Sequence, residues 1–391
     1  MESGIILTKN INPKTQNKLY GLDHLRCLAI FLVFVFHYRS SVFGHPEWLT
    51  GFARFGWTGV DLFFVLSGFL ISSQLFSQIK KGKNISIKEF FLKRFFRIIP
   101  VYLIVVGIYF CFPFFREKEA LPPLWRFLTF TQNFALNAKY SGTFSHAWSL
   151  CVEEHFYFFL PLILILLQST NSFKKAYWLL PILFLLGFVI RLYNWNVFFL
   201  PKIEDENAFY YFGKYIYYPT YNRLDGLLVG VSIAGIYQFL PDFWNKIIKF
   251  GNHLIIISMF VLTGAYFVCY NSASYPTTGF SPSYSTGIFG FPLVAVGYGF
   301  MVLGAISPAS FLYKWNSKTT TLIATLSYAI YLTHKGIIHI TQGIFTNACI
   351  DKNSNLMLLI CTIFCITGAL LLNLAIEKPF MKLRDKIVKR K

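Results

Sequence analysis

Long apolar segments that recur along the chain limit its fold more than any other feature. Runs of about 17–25 apolar residues return through the 391-residue sequence, and a helix of that length crosses about 30 Å of hydrocarbon. Backbone polar groups in lipid need internal partners, so such segments form helices or a closed barrel. The runs are continuously apolar and do not alternate, and only 14% of the residues are charged. Soluble proteins carry roughly 25% charged residues. The sequence therefore predicts an all-α membrane protein.

The hydropathy pattern predicts ten transmembrane helices. Their approximate positions are 22–38, 57–77, 98–115, 148–167, 177–192, 215–240, 254–270, 286–307, 321–345 and 355–376. An even number of spans puts both termini on one side of the membrane. Lys and Arg are concentrated in the N-terminus, the alternate loops and the tail, which predicts that this side is cytoplasmic. The expected organisation is a cytoplasmic segment (1–20), one transmembrane domain (21–377) and a basic cytoplasmic tail (378–391).

The net charge of +19 is explained by this topology and by contact with anionic lipids. We expect no nucleic-acid partner. The seven cysteines lie mostly within predicted spans without a CxxC pair, so they indicate buried thiols and no metal site. No small-residue cleavage site follows the first span, so we expect no signal peptide.

The first span, LRCLAIFLVFVFHY, holds an arginine and a histidine eleven positions apart, Arg26 and His37. Eleven helical steps rotate about 1100° and rise about 16 Å, so both side chains lie on one face. Arg26 is expected near the cytoplasmic edge and His37 near mid-membrane. Ionisable residues deep in spans usually face a cavity, and a histidine there can accept and return a proton. The alternative is an anchoring arginine and a packed histidine.

Two further segments carry charged residues at span ends. In GWTGVDLFFVLSGFLIS, Asp61 is expected either to cap its helix or to orient a histidine. In KRFFRIIP, Arg94 and Arg97 lie one turn apart at the expected start of the third span, just before Pro100. They are either a topology signal or a clamp for phosphate, which their planar guanidinium groups suit.

The segment HAWSLCVEEHFYFFLP places Glu153 at the expected outer mouth of the fourth span, just after Trp148 and Ser149. A carboxylate entering lipid is costly, so Glu153 is expected to face a wet interior. The alternative is that Glu153 and Glu154 form a carboxylate pair above the membrane.

Later spans add candidate substrate-binding residues. YNRLDGLLVG contains Arg223 and Asp225, which indicate an intramembrane charge network. LSYAIYLTHKGIIH contains Tyr331 and His334, three apart on one helix face. The alternative for the last two is a packed, hydrogen-bonded core.

These six segments and EKPF (377–380), in the same order, resemble the acyltransferase-3 family of polytopic membrane acyltransferases. The resemblance runs from about residue 19 to 384. It rests on the arginine–ten residues–histidine spacing and on GVDLFFVLSGFLIS, RFFRIIPVY, WSLCVEEHFY, RLDGLLVG, SYAIYLTH and EKPF.

The resemblance implies transfer of an acyl group, usually acetyl, from cytoplasmic acyl-CoA to a sugar hydroxyl beyond the bacterial inner membrane. The counterpart of Arg26 helps to hold acyl-CoA and that of His37 is catalytic. On this reading Arg26, Arg94 and Arg97 bind the CoA phosphates. Lipopolysaccharide O-antigen is the favoured acceptor, lipid-linked or at the surface, and peptidoglycan, exopolysaccharide and small molecules remain open.

For the catalytic step, we expect His37 to act as general base toward the acceptor, oriented by Asp61 or Glu153. Trp148, Ser149, Arg223, Asp225, Tyr331 and His334 are the expected substrate-binding residues.

This sequence departs from the family at Lys335-Gly336, where the family often has Trp-Pro, so the lining role of that position is open. Some members also carry an esterase-like domain. Only about 15 residues follow the last predicted span here, so we expect the acceptor to reach the membrane domain itself or to be served by a separate protein.

The competing function is a proton-coupled transporter of a glycan or lipid-linked sugar, in which embedded ionisable residues serve as proton relays. The paired arginines at one edge, and the lack of the repeats common in such transporters, favour the acyltransferase. A non-catalytic scaffold leaves the intramembrane charges unexplained.

Overall fold

The computed structural model describes residues 19–40, 42–170, 172–270 and 283–389, and within these ranges the regular structure is entirely helical. Positions 1–18 of the predicted N-terminal segment lie outside the described residues. The first eight α-helices are α1 (Tyr20–Tyr38), α2 (Glu47–Phe52), α3 (Gly59–Lys80), α4 (Ile87–Cys111), α5 (Leu124–Leu128), α6 (Trp148–Ser169), α7 (Leu179–Asn194) and α8 (Ala208–Phe212). The remaining eight are α9 (Asp225–Phe239), α10 (Pro241–Ile247), α11 (Gly251–Tyr270), α12 (Phe291–Ile306), α13 (Phe311–Lys314), α14 (Lys318–Asn347), α15 (Asn355–Leu372) and α16 (Lys378–Lys389). Single π-helical turns occupy Trp195–Phe199, Gly213–Tyr217, Thr286–Gly290 and Asn373–Glu377.

Among the described residues, eight helical stretches are long and apolar enough to cross a membrane. They are Tyr20–Tyr38, Ala53–Lys80, Ile87–Cys111, Ser145–Ser169, Ala176–Lys202, Pro241–Tyr270, Thr286–Ile306 and Asn355–Val388. The chain is thus an all-α membrane protein, as the sequence predicts. The total of ten spans and the cytoplasmic side of the termini stay predictions.

Two of the ten predicted spans differ from these eight stretches. The predicted span 215–240 is interrupted, because the π-turn Gly213–Tyr217 and α9 are separate elements, and α9 has only 15 residues. The predicted span 321–345 lies within α14, which has 30 residues but contains many polar ones. Both helices carry candidate site residues, which lowers their apolarity.

The third span begins earlier than predicted. Helix α4 starts at Ile87, where the Ser86 side chain accepts a hydrogen bond from the Glu89 amide. A serine in this position satisfies one of the free amides of the first turn. Arg94 and Arg97 consequently lie in the second and third turns and not at the helix start. Pro100 lies inside the helix, a position that membrane helices tolerate.

Helices α3 and α9 pack most closely, because glycines allow their backbones to touch. A Cβ added to Gly68 would lie 2.2 Å from the Leu227 carbonyl oxygen, and one added to Gly230 would lie 2.3 Å from the Val65 carbonyl oxygen. Helix α1 packs against α14, and α14 packs against α15. Helix α1 also packs against α3, so it bridges α3 and α14.

The segment containing α7 lies at the periphery. Only 6% of its most apolar window is buried, against 78% for the segment Thr286–Ile306. An exposed apolar face of this kind suits contact with lipid. Most of the polar residues discussed below lie on other helices, and Arg191 of α7 is buried against Asp225.

Candidate functional site

Three cavities follow one another through the helix bundle, each sharing wall residues with the next. The tail cavity, about 210 Å³, is lined by Gln74, Lys93, Arg94, Arg97, Arg384, Asp385 and Val388. The arginine cavity, about 280 Å³, shares Gln74, Arg94 and Arg97 with it and adds Arg26, Ser67, Glu153 and Tyr157 among others. The histidine cavity, about 180 Å³, shares Val60 and Tyr331 with the arginine cavity and contains His37, His146 and Lys335.

The arginine cavity is built from α1, α3, α4, α6 and α14. Arg26 lies in the second turn of α1, 3.7 Å from Asp23. Arg94 lies 5.1 Å above the ring of Tyr157 in a cation–π contact. Together with Arg97, these side chains make this part of the interior strongly positive, as binding of an anionic ligand requires.

Glu153 faces this arginine cavity and not the histidine. It accepts hydrogen bonds from Ser67 Oγ at 2.9 Å and from Tyr157 Oη at 3.1 Å. The sequence placed Glu153 at the outer mouth, beside the acceptor. In the structure the Glu153 carboxylate instead lines the same cavity as Arg26, Arg94 and Arg97.

His37 lies in the last turn of α1, closer to its C-terminal end than the predicted mid-membrane position. Its Nδ1 lies 3.0 Å from Nε2 of His334 on α14. The other nitrogen of His334, Nδ1, lies 3.0 Å from the Ile330 carbonyl and 2.9 Å from the Tyr331 carbonyl. The partner predicted for His37 was a carboxylate, and the structure provides a second histidine.

This geometry fixes which nitrogen of each neutral ring carries the proton. Carbonyl oxygens only accept, so Nδ1 of His334 is the protonated nitrogen and Nε2 accepts from His37. His37 therefore donates through Nδ1, and its Nε2 keeps a free lone pair. His334 is fully buried, which favours the neutral form.

His146 completes a cluster of three imidazoles. Its ring centroid lies 5.6 Å from that of His37 and 4.9 Å from that of His334. Both of its ring nitrogens are buried, and within the described residues neither has a hydrogen-bond partner. His146 begins the segment HAWSLCVEEHFYFFLP, but the sequence did not identify it as a candidate site residue.

Lys335 lines the histidine cavity and forms a buried ion pair, with its Nζ 2.6 Å from Glu117 Oε1. Burial alone would raise the pKa of Glu117, but the Lys335 cation and hydrogen bonds from backbone amides outweigh it and lower the pKa. Lys118, beside this pair, also lines the cavity, and burial lowers its pKa. The lining role that the sequence left open for position 335 is thus taken by a lysine.

Asp61, expected to orient His37, instead pairs with Arg223 through an oxygen 2.8 Å from Nη2. The Arg223 guanidinium also lies 3.9 Å from the ring centroid of Phe291. Asp225 forms a two-pronged ion pair with Arg191, at 2.6 and 3.1 Å. These buried pairs join α3, α7 and the start of α9. Arg223 and Asp225 lie outside the linings of the three cavities.

Tyr331 stands in the wall between the arginine and histidine cavities. Its hydroxyl lies 2.5 Å from Ser149 Oγ and 2.5 Å from the His146 carbonyl oxygen. Ser149 lines the arginine cavity and Trp148 lines the histidine cavity. Three of the predicted substrate-binding residues thus line one or both of these cavities.

Within the described parts of the chain, no group of three or more His, Cys, Asp or Glu side chains is arranged to hold a metal ion. The cationic lining of the arginine and tail cavities suits an anionic organic group, since guanidinium groups bind phosphates with matched geometry.

Fold and site together define a polytopic helical membrane protein whose interior joins an arginine-rich cavity to a histidine cluster. A family model described as an acyltransferase domain matches residues 19–374. The chain therefore belongs to the acyltransferase-3 family, which confirms the resemblance of its motifs.

Two curated relatives come from Staphylococcus aureus. A protein of strain COL named "Putative O-acetyltransferase SACOL0978" is 28% identical over 358 residues, which cover 85% of this chain and 53% of that protein. The O-acetyltransferase OatA of strain NCTC 8325 is 28% identical over 336 residues, which cover 82% of this chain and 50% of OatA. The chain spans about half the length of the curated relatives it matches. No solved structure matches it.

Proposed function

We propose that the chain is a bacterial inner-membrane O-acetyltransferase that moves an acetyl group from cytoplasmic acetyl-CoA to a hydroxyl of a surface glycan. One observation carries this proposal: the arginine cavity and the histidine cavity meet at a shared wall formed by Val60 and Tyr331. A donor held by arginines and an acceptor beside His37 would meet at that wall. The family and the names of the relatives support the class of reaction.

On the donor side, Arg26, Arg94 and Arg97 would hold the phosphates of acyl-CoA, and the pantetheine arm would run toward Tyr331. The eleven residues between Arg26 and His37 correspond to about 16 Å of helix rise. This length suits an extended arm whose thioester reaches the wall between the cavities. Both termini would then be cytoplasmic.

In the chemical step, Nε2 of His37 would take the proton of the acceptor hydroxyl as its oxygen attacks the thioester carbonyl. The new carbon–oxygen bond forms and the carbon–sulfur bond breaks. The CoA thiolate leaves and receives the proton from the His37 imidazolium. His334 would act as a positioning residue that keeps the lone pair of His37 directed at the acceptor.

The roles expected for the two carboxylates change with their positions. Glu153, within the arginine cavity, would act on the donor side by orienting Ser67 and Tyr157. Asp61 would fix Arg223 and so the junction of α3 with α9.

The acceptor would enter the histidine cavity. Its lining is rich in aromatic rings, including Trp148, Tyr217 and Tyr218, which offer flat faces to a sugar ring. The acceptor that we propose is a lipid-linked or surface polysaccharide, with lipopolysaccharide O-antigen the first candidate.

A transfer assay tests this function. Purified protein in lipid nanodiscs is given acetyl-CoA with and without glycan, and CoA release and acetylated glycan are measured, the latter as a gain of about 42 Da per acetyl group. We expect acceptor-dependent release by the wild type and none by His37→Ala. In proteoliposomes, glycan movement across the bilayer without CoA release would support a transporter and refute the proposal.

A further inference from the structure

The C-terminal helix α16 closes one side of the tail cavity and does not extend freely from the domain. It continues the last apolar helix through the π-turn Asn373–Glu377 and packs along α4. The ring of Phe380 lies 6.4 Å from that of Phe96. This contact holds the following turn of α16, with Arg384, against the arginine-bearing turns of α4.

The tail cavity is strongly cationic. Its lining contains four basic side chains, Lys93, Arg94, Arg97 and Arg384, and one carboxylate, Asp385. Lys93 pairs with Glu89 one helix turn away. Arg384 is linked to Asp385 through Nη2 at 2.6 Å, but the Asp385 side chain is 54% exposed, so much of its charge is offset by solvent. The net field in the cavity is positive.

The position of this cavity indicates what it binds. Arg94 and Arg97 line both the tail and the arginine cavities, so a ligand whose phosphates lie between them extends into both. If the pantetheine arm occupies the arginine cavity, the nucleotide end of the same donor occupies the tail cavity. That end carries a phosphate monoester at the ribose 3′ position, with close to two negative charges.

We propose that the tail cavity is a phosphate-monoester site and that Arg384 of α16 binds the 3′-phosphate of the CoA donor. This inference rests on the proposed function, because it takes acyl-CoA as the donor. It makes the C-terminal helix part of the substrate site. A phospholipid headgroup presents the same chemistry, and the experiment below distinguishes the two sources.

The test compares acetyl-CoA with acetyl-dephospho-CoA, which lacks only the 3′-phosphate. A hydrogen bond to a charged group contributes enough for a change of about 10-fold or more. We expect the wild type to lose about 10-fold in kcat/KM with the dephospho donor. Arg384→Ala should lower kcat/KM for acetyl-CoA by about the same factor. It should show no additional loss of kcat/KM when the dephospho donor replaces acetyl-CoA. Equal losses by Arg384→Ala on both donors, or no loss on acetyl-CoA, would overturn the assignment.

Lys382→Ala and Lys386→Ala are matched controls. Both lysines lie on α16, both are exposed, and neither lines the tail cavity. They remove the same charge from the same helix, so their donor preference should stay that of the wild type. A loss in these variants equal to that of Arg384→Ala would show a general charge effect and refute a specific site.

Equilibrium binding separates this inference from the proposed reaction. Adenosine 3′,5′-bisphosphate should bind the wild type about 10-fold more tightly than adenosine 5′-phosphate, and Arg384→Ala should abolish that difference. If the two nucleotides differ in affinity as expected but no acetyl transfer is measured, the proposed function is refuted and the assignment of the phosphate-monoester site is supported. If transfer occurs but the two nucleotides bind equally tightly, the assignment of the site is refuted.

Bilayer composition distinguishes the lipid source. The measurements are repeated in zwitterionic nanodiscs and in nanodiscs containing phosphatidic acid, whose headgroup is a phosphate monoester. A preference for acetyl-CoA over acetyl-dephospho-CoA that is as large in zwitterionic lipid as with phosphatidic acid supports the proposal. An effect of Arg384→Ala that appears only with phosphatidic acid, and equally for both donors, would assign the site to a lipid and overturn it.

Discussion

Replacing His334 tests whether the pair of histidines sets the protonation pattern of the proposed base. In the wild type, Nε2 of His334 accepts a hydrogen bond from the Nδ1–H of His37 at 3.0 Å. His334→Ala removes that acceptor, and the N–H of His37 is left with the Val33 carbonyl one turn earlier on α1. His334→Gln keeps a side chain whose carbonyl oxygen can accept the same hydrogen bond.

The expected effect follows from the cost of that lost hydrogen bond. Losing a buried hydrogen bond costs about 1 kcal/mol where another acceptor is near and up to about 3 kcal/mol where none is. His37 avoids this cost by moving its proton from Nδ1 to Nε2, which removes the lone pair needed for catalysis. With RT near 0.59 kcal/mol, the productive form becomes about 5- to 150-fold rarer, and kcat should fall by that factor. His334→Gln should stay within about 5-fold of wild type on the same basis.

Steady-state kinetics with acetyl-CoA and glycan measure this change, and thermal unfolding in detergent shows whether each variant is folded. KM for acetyl-CoA should stay unchanged, because the arginines that hold the donor are untouched. If folded His334→Gln is as impaired as His334→Ala, or if His334→Ala raises the donor KM at constant kcat, the assigned role of His334 is wrong.

Three further predictions concern the donor side and the ion pair near the histidines. Arg26→Ala should raise KM for acetyl-CoA with little change in kcat, since a phosphate contact is made equally in the ground and transition states; an unchanged KM would exclude that contact. Glu153→Gln removes a negative charge from the arginine cavity, so calorimetry should show acetyl-CoA binding as tight as wild type or tighter, while kcat falls and the acceptor KM stays constant. A raised acceptor KM would return Glu153 to the acceptor side. Glu117→Gln should destabilise the fold by about 3–5 kcal/mol in thermal unfolding, because it leaves Lys335 charged and unpaired, and Glu117→Gln with Lys335→Met should recover most of that loss. Because the pKa of Glu117 is lowered in the folded protein, its stabilising effect is present at neutral pH and is lost as the pH falls below the ordinary range of a carboxyl group.

The spacing of residues within one helix was sufficient to predict several features of this structure. The spacing of Arg26 and His37 predicts one face, and the structure shows each of them lining one of two adjoining cavities. The apolar runs predict the membrane helices because a long hydrophobic run has few alternative structures in lipid. The motif order was sufficient to indicate the family, which the match over residues 19–374 confirms.

The spacing of residues within one helix could not predict which side chains pair between helices that are distant in the sequence. His37 and His334 are 297 positions apart, and Asp61 and Arg223 are 162 apart. Which carboxylate meets which cation depends on how α1, α3, α9 and α14 pack, and that is set by close glycine contacts spread along several helices. A single-helix pattern fixes the face of a residue but not the helix opposite it, so the sequence did not predict that Asp61 pairs with Arg223.

Pairing with the Glu117 carboxylate explains why a lysine can occupy position 335 in the histidine cavity. A base that must become an imidazolium is hindered by any nearby uncompensated cation. The arginines avoid this by lying on the far side of the Tyr331 wall, but Lys335 directly follows His334 and lines the same cavity as His37. Glu117 lies 2.6 Å from the Lys335 ammonium and keeps that charge paired. On the proposed mechanism, the Glu117–Lys335 pair therefore provides a hydrogen-bonding group beside the acceptor at a smaller electrostatic cost to His37 than an unpaired lysine would impose.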